Sequence, residues 1–115
     1  MKTTIVYFSA TYTTHRIVGH LAKQITEDIT EYDITNHIPT QEIVIPKDEL
    51  LIMGIPVYAG RVPEMAVERI RRFKGEGTPA IAVAVYGNRD YDDALLELSD
   101  LLSENGFQVI SAGAF

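Results

Sequence analysis

Two kinds of hydrophobic pattern alternate along the chain. Short runs of consecutive apolar residues are typical of strands buried on both faces of a parallel sheet. Segments with apolar residues three or four positions apart are typical of amphipathic helices. The predicted strands cover residues 3–8, 30–34, 50–55, 80–85 and, at the start of the last strand, 107–110. The alternation predicts an α/β fold with a five-stranded parallel sheet.

The first predicted helix follows the first strand after a polar turn. Its apolar residues at helical spacing are Ile17, Val18, Leu21, Ala22 and Ile25. Thr13 or Thr14 is expected to cap its start, because a threonine side chain can accept a hydrogen bond from a first-turn amide. Residues 35–48 contain two prolines and no helical period, so we expect this segment to be irregular, with at most one helical turn.

Two further helices are predicted on either side of the fourth strand. The earlier one begins at Pro63, a residue favoured in the first helical position, and ends at Gly75 and Gly77. Its expected buried residues are Met65, Ala66, Ile70 and Phe73. The later helix is capped by Asp90 and stopped by Asn105-Gly106. Its expected buried residues are Ala94, Leu95, Leu98, Leu101 and Leu102.

Strands and helices in this order predict a doubly wound sheet with strand order 2-1-3-4-5. Right-handed crossovers place the first helix on one face and the other two on the opposite face. A last helix beside the first is missing, because no sequence remains to form it. We expect an exposed apolar face on the order of several hundred Å². The chain is therefore expected to be either a truncated piece or an oligomer that covers this face.

Composition narrows the classes of function. The 115 residues suffice for one domain, 1–115. The absence of cysteine excludes a disulfide scaffold, a thiolate-bound metal, an iron–sulfur cluster and a cysteine nucleophile within this sequence. The formal charge of −6 argues against nucleic-acid binding. With no membrane-length apolar run and no signal-peptide pattern, we expect a cytoplasmic protein without a membrane partner.

Ligands of an open parallel sheet bind beyond the carboxyl ends of the strands, where the strand order reverses. In the predicted order this point lies between the first and third strands. The loops at this edge are residues 9–14, 56–62 and 86–92. We therefore expect these three loops to form a binding site.

The first of these loops is rich in hydroxyl groups. It reads Ser9-Ala10-Thr11-Tyr12-Thr13-Thr14. Hydroxyls and free amides at the start of a helix bind anions, and the helix dipole adds to the attraction. The glycine patterns of dinucleotide-binding and NTPase loops are absent. A phosphate monoester fits this loop, although the loop alone is equally consistent with a turn whose threonines only cap the helix.

All three loops resemble those of flavodoxins. The first is similar to the S/T-x-T-G-x-T phosphate loop, with Tyr12 where glycine usually stands. Residues 54–63 resemble the loop that frames the isoalloxazine ring, especially in bacterial flavodoxin–ferredoxin fusion proteins. Residues 86–95 resemble the second flavin loop of that group and of related FMN-dependent reductases. The resemblance implies a flavodoxin-like fold with bound FMN.

The implied FMN site takes residues from all three loops. They are Ser9, Ala10, Thr11, Tyr12, Thr13, Thr14, Pro56, Val57, Tyr58, Ala59, Gly60, Tyr86, Gly87, Asn88, Arg89, Tyr91 and Asp92. Tyr58 and Tyr91 are candidates for stacking on the flavin ring, since aromatic side chains pack on its apolar faces. Gly60 and Gly87 let the backbone approach the ring edge. Acidic residues beside the third loop are expected to lower the potential of the flavin.

Several charged side chains lie near this site. Arg61 and Arg89 are expected to offset charge on the ring, to contact a partner or to remain solvated. His15 and Arg16 lie in the first helical turn, where they would add positive potential at the phosphate. The histidines lack metal-ligand spacing, and no catalytic residue or metal is predicted.

The resemblance implies an electron-transfer protein that works with a redox partner, such as a ferredoxin-like protein or a reductase. Two alternatives stay open: an FMN-dependent reductase of quinones or other small molecules, and a flavodoxin-like interaction module without flavin. The short chain has few segments that would form a substrate pocket, which favours the electron carrier. A phosphorylated receiver is disfavoured, because Ser9 and Thr11 stand where carboxylates would be needed.

Overall fold

The computed structural model describes residues 2–9, 12–58, 60–86 and 92–115. Its strands are β1 (Thr3–Tyr7), β2 (Ile29–Asp33), β3 (Ile43–Ile45), β4 (Leu50–Pro56), β5 (Phe73–Gly75), β6 (Thr78–Val85) and β7 (Phe107–Ala114). Its helices are α1 (Thr13–Ile25), α2 (Glu64–Ile70) and α3 (Asp92–Glu104). No helix in these ranges is long and apolar enough to cross a membrane.

Five of the strands form one parallel sheet in the order β2-β1-β4-β6-β7. Numbered along the chain among themselves, these strands have the order 2-1-3-4-5, so the predicted doubly wound sheet is confirmed. Tyr7 at the end of β1 pairs with Asp33 of β2 on one side and with Gly54 of β4 on the other. The strand order reverses between β1 and β4, at the predicted place.

Side chains alternate between two cores, one on each face of the sheet. On one face, α1 covers a core that includes Ile5, Ile52 and Val83. On the other face, a larger core that includes Met53 and Ala82 packs beneath α2 and α3. This arrangement confirms the predicted helix layers, and it follows from central strands that are buried on both faces.

Helix α1 packs tightly against the sheet at Gly54 of β4. A Cβ atom at this position would overlap with Cγ1 of Val18 and would lie 2.9 Å from Cγ2 of Thr14. Glycine within a strand often marks a place where another element comes close. Gly54 therefore determines how near the first turn of α1 lies to the carboxyl end of the sheet.

The segments before β4 and after α2 differ from the sequence prediction. The irregular segment 35–48 contains β3, which pairs in parallel with β5. Phe73 and Gly75 belong to β5 and not to the end of α2. Phe73 lies three residues after Ile70, a spacing that wrongly indicated a continuing helix. It is buried for a different reason: its ring packs edge-on against Tyr32, with centroids 5.4 Å apart.

Two predicted core residues are exposed. Met65 of α2 is 62% exposed, because this helix of seven residues buries only the stripe formed by Ala66 and Ile70. Ile25, the last residue of α1, is 48% exposed beyond the buried positions Val18 and Ala22. Short helices and helix ends cover little of a sheet, so periodicity alone overestimates their buried faces.

The face of β6 and β7 beside α1 carries no helix within the described residues. Ile81 and Val85 of β6 are half-buried there against the α1 core. The β7 residues on this face are small, since Ser111 pairs with Ile81 and Gly113 pairs with Val83. The uncovered face is therefore less apolar along β7 than the sequence led us to expect.

An open groove lies between α1 and the end of β7. It has a volume of about 460 Å³, and its lining includes Ile17, Leu21 and Phe115. The ring of Phe115 is half-exposed and lies close to Gly113. Phe115 therefore fills part of the space beside α1 that a further helix was expected to occupy.

Candidate functional site

Loops leave the sheet side by side at the carboxyl ends of β1, β4 and β6. The ends are adjacent because Tyr7 pairs with Gly54 and Pro56 pairs with Val85. Val57 N also donates to the Val85 carbonyl over 3.0 Å, which continues the pairing into the second loop. The structure thus brings the starts of the three predicted loops together at one edge.

Several predicted site residues lie outside the described residues. They are Ala10, Thr11, Ala59, Gly87, Asn88, Arg89 and Tyr91. The expected cap Asp90 lies outside them as well, and Asp92 is described only as the first residue of α3. Their predicted roles stay predictions.

Ser9 supports the first turn of α1. Its Oγ accepts a hydrogen bond from His15 N over 3.3 Å, and its own N–H donates to Thr35 Oγ1 over 2.6 Å. The prediction that Thr13 or Thr14 caps the helix is wrong, because the N-cap residue is Tyr12 and no side-chain capping bond is made there. A hydroxyl from outside the helix supplies an acceptor for a first-turn amide instead.

Tyr12 adopts a left-handed backbone conformation, with φ of 73° and ψ of −16°. Among the described residues it is the only one other than glycine with positive φ. Its side chain is 67% exposed and meets the ring of His15 edge-on, with centroids 5.2 Å apart. The position suited to glycine in the loop pattern therefore has a glycine-like backbone here, occupied by an aromatic residue.

His15 connects the first turn of α1 to the neighbouring strands. Its ring stacks on Tyr7 with centroids 4.3 Å apart, and its Nε2 lies 3.4 Å from both carboxylate oxygens of Glu31. Burial, and secondarily the negative charges of Asp33 and Glu31, raises the pKa of the Tyr7 phenol. Tyr7 is thus a neutral stacking partner.

The two threonines that start α1 face different surroundings. Thr14 is buried, with its methyl group directed at the position of Gly54. Thr13 is exposed and borders the groove near Phe115. The first turn holds no acidic residue, so the positive end of the helix dipole is not neutralised from within the helix.

Thr35 contacts Ser9 directly and Arg69 holds the backbone of Thr35, and neither residue was predicted from the sequence. Thr35 N donates to Asp33 Oδ1 over 2.8 Å, while Arg69 Nη1 donates to the carbonyls of Ile34 and Thr35 over 2.7 and 2.8 Å. A signal did exist for Thr35. Thr35 follows the second predicted strand, whose carboxyl end lies at the same edge of the sheet as the first loop. The sequence Asp33-Ile34-Thr35 also allows an Asx turn, in which an aspartate side chain accepts a hydrogen bond from the amide two residues later.

The second loop contains a tight turn. Tyr58 and Arg61 exchange two backbone hydrogen bonds, each of 2.9 Å. Gly60 between them has φ of 79°, a conformation that favours glycine. The side chain of Tyr58 is about half-exposed beside the carboxyl edge of the sheet.

Glu97 of α3 fixes the end of this turn. Its carboxylate accepts hydrogen bonds from Arg61 Nε and Nη2, each of 3.0 Å, and from Val62 N over 3.1 Å. The hydrogen bond from Arg61 is the main cause that lowers the pKa of the Glu97 carboxyl, so the group is ionised at neutral pH. The charge of Arg61 is therefore paired. No local sequence signal marks Glu97, which the sequence reasoning also missed.

Comparison with known proteins identifies the architecture. No protein-family model and no curated protein matches the sequence. A crystal structure of a protein described as a flavoprotein, from Bacteroides uniformis, aligns over 98% of this chain and 90% of its own, with 18% identity and a TM-score of 0.67. Another, from Bacteroides eggerthii, aligns over 99% and 87%, with 16% identity and a TM-score of 0.68. The chain has a flavodoxin-like fold.

A third structure adds a ligand to the comparison. It is a flavoprotein from Lactobacillus acidophilus in complex with FMN, which aligns over 98% of this chain and 92% of its own, with 14% identity and a TM-score of 0.64. At these identities the comparison establishes the flavodoxin-like fold of this chain and no more. The similarity to flavodoxin–ferredoxin fusion proteins stays a prediction.

The third loop of the flavodoxin-like sheet is described only at its start. Tyr86 is half-buried, and its N–H donates to the Phe115 carbonyl over 2.9 Å. Phe115 N in turn donates to the Ala84 carbonyl, also over 2.9 Å. The pairing of β6 with β7 thus continues up to the loop. The described residues contain no cluster of three or more acidic or histidine side chains arranged to hold a metal.

Proposed function

We propose that this chain binds FMN at the carboxyl edge of its sheet and transfers electrons to and from a redox partner protein. One observation carries the proposal: the hydroxyl-bearing start of α1 and the exposed Tyr58 turn follow two adjacent strands, at the point where the strand order reverses. That is where ligands of such sheets bind. A protein of the same fold from Lactobacillus acidophilus was crystallised with FMN, which supports the choice of ligand.

The start of α1 fits the phosphate of FMN. Ser9 already accepts a hydrogen bond from His15 N, so its hydroxyl proton is left to donate to a phosphate oxygen. Amides at the start of the helix would add donors, and the helix dipole favours the anion. This turn contains no acidic residue, so none of its own side chains repels the phosphate.

The turn after β4 fits the ring end of FMN. Tyr58 presents an accessible aromatic face, and Gly60 lets the backbone come close to the ring edge. FMN would supply reversible electron uptake, while the protein would supply position and electrostatic environment. The net negative charge favours a redox partner with a basic docking surface, such as a ferredoxin-like protein or a reductase.

Titration of the purified protein with FMN tests the proposal. We expect quenching of flavin fluorescence at one FMN per chain, and a Ser9→Ala variant that binds FMN about tenfold to hundredfold more weakly. This range corresponds to the loss of about 1.5–3 kcal/mol for a hydrogen bond to a charged group. Riboflavin, which lacks the phosphate, is expected to bind both proteins alike. Ser103→Ala, at an exposed position of α3, is the matched control.

Other outcomes distinguish the alternatives. A protein that fails to quench added FMN would contradict the proposal and favour an interaction module. Steady-state reduction of a quinone with NAD(P)H would favour a reductase over an electron carrier. A potentiometric titration completes the test, since we expect the fully reduced flavin to form at a lower potential in the protein than in water.

A further inference from the structure

We propose that Glu97 is a positioning residue for the flavin ring: it holds the Tyr58 turn in the shape that receives the isoalloxazine. The inference rests on the proposed function. It assigns a role in flavin binding to a residue that would not itself contact the flavin. Glu97 would act through Arg61 and Val62, which belong to the turn.

The carboxylate of Glu97 uses both oxygens on this turn. Oε1 accepts from Arg61 Nε and from Val62 N, while Oε2 accepts from Arg61 Nη2. Two parallel bonds between a guanidinium and a carboxylate fix orientation as well as distance. The Glu97 side chain is 25% exposed and that of Arg61 is 63% exposed, so the acid is the more enclosed partner. The contact therefore restrains the turn more than an ordinary surface ion pair does.

The three bonds act on one end of the turn. Its start is fixed to the sheet by the bond from Val57 N to the Val85 carbonyl. Its end is fixed to α3 by Glu97, and the Val62 side chain is buried there. Tyr58 lies between these two attachments. Removal of Glu97 would release the end of the turn and widen the range of positions available to the Tyr58 ring.

The position of Glu97 along α3 gives the contact a second consequence. The helix begins at Asp92, where the third loop ends, and Glu97 lies five residues later, about 7.5 Å along the helix axis. Helix α3 thus follows the third loop directly in sequence, and its residue Glu97 is hydrogen-bonded to the second loop.

Flavin affinity gives the first test. We expect Glu97→Ala to weaken the binding of FMN and of riboflavin by the same factor, about tenfold, which is about 1.4 kcal/mol. Glu97→Gln is expected to have a smaller effect, because its amide oxygen still accepts the Val62 bond. The matched control is Glu68→Ala, which breaks the exposed 2.9 Å ion pair with Arg71 on α2 and should leave both affinities unchanged.

Spectra and potentials provide a readout that a purely structural role would not change. In variants saturated with FMN, we expect Glu97→Ala to alter the visible flavin spectrum and the reduction potential, and Glu68→Ala to alter neither. Equal affinities for wild type and Glu97→Ala would overturn the inference, as would weaker FMN binding with unchanged riboflavin binding. If Glu97→Ala fails to fold, the same comparisons are made with Glu97→Gln.

Hydrogen exchange without flavin separates this inference from the proposed function. We expect the amides of Arg61 and Val62 to exchange faster in Glu97→Ala than in wild type, while the Val57 amide keeps its rate. If the wild type binds no flavin and Glu97→Ala still exchanges faster at Arg61 and Val62, the proposed function is contradicted but the restraint by Glu97 is supported. Unchanged exchange at Val62 would overturn the restraint whatever the protein binds.

Discussion

The backbone of Tyr12 lies in the left-handed region directly before α1. For a residue with a Cβ atom this conformation costs about 1–2 kcal/mol. The ring of Tyr12 packs edge-on against His15, which itself stacks on Tyr7, so aromatic contacts offset part of this cost. Tyr12 thus has a backbone conformation that favours glycine, at the position where the loop pattern has glycine.

Two variants of Tyr12 separate the cost of its left-handed backbone from the contribution of its ring contact with His15. Tyr12→Ala and Tyr12→Gly both lose the ring, but only glycine relieves the strained backbone. We expect the glycine variant to be more stable than the alanine variant by about 1 kcal/mol, although alanine is normally the more stabilising residue near a helix. Urea denaturation measures the difference. Equal stabilities, or a more stable alanine variant, would show that the loop is not strained at Tyr12.

At the scale of elements, the contact of α1 with β4 sets how close the first turn of α1 lies to the sheet. Gly54 has no room for a Cβ atom, because Val18 and Thr14 of α1 pack directly over it. Gly19, also in α1, has open space around its Cα atom. The two glycines therefore have opposite roles: Gly54 makes a close contact possible, whereas Gly19 only weakens a helix.

These roles predict opposite effects of the same substitution. Gly54→Ala is expected to destabilise the protein by about 1–3 kcal/mol, because the methyl group would push α1 away from the sheet. Gly19→Ala is expected to stabilise it by about 0.5–1 kcal/mol, since alanine has the higher helix propensity. Chemical denaturation checks both values. A Gly54→Ala variant as stable as wild type would mean that α1 is free to shift.

The sequence predicted the main sheet because β1, β4 and β6 each contain a run of consecutive apolar residues, a pattern typical of strands in a parallel sheet. It did not predict β3 and β5, which have three residues each and are too short for a period to appear. The site shows the same limit. The hydroxyls of the first loop are local in sequence, but Ser9 meets Thr35 across 26 positions and Val62 meets Glu97 across 35. Such contacts depend on tertiary packing, which no local pattern contains.

At the scale of the whole molecule, β7 forms one edge of the sheet. Residues 106–115 carry no charged side chain, although the chain has a formal charge of −6. Proteins usually protect an edge strand with charges, bulges or proline. Here the pairing of β7 with β6 has one irregularity after Ala80, but Ile110 beside it is apolar and 58% exposed. Two copies of like charge would meet most easily along such an uncharged edge.

We expect a second copy of the chain to bind at β7, next to the groove near Phe115. Light scattering should then give a mass above that of one chain at high protein concentration. Ile110→Lys should reduce this association, because it places a charge on the edge. Ile38→Lys is the matched control, at an isoleucine of similar exposure far along the chain from β7. A wild type that stays a monomer at every concentration would contradict the expectation.

The hydrogen bonds that link Arg69, Thr35, Ser9 and His15 have a consequence for cooperativity. They join the end of α2, the end of β2 and the start of α1, so we expect Ser9 and the first turn of α1 to open only together with the other two elements. Local opening would have to break contacts in all three elements, which raises its free energy. A ligand held by this loop would therefore protect β2 and α2 as well, because binding to the closed form stabilises every part that must open with it.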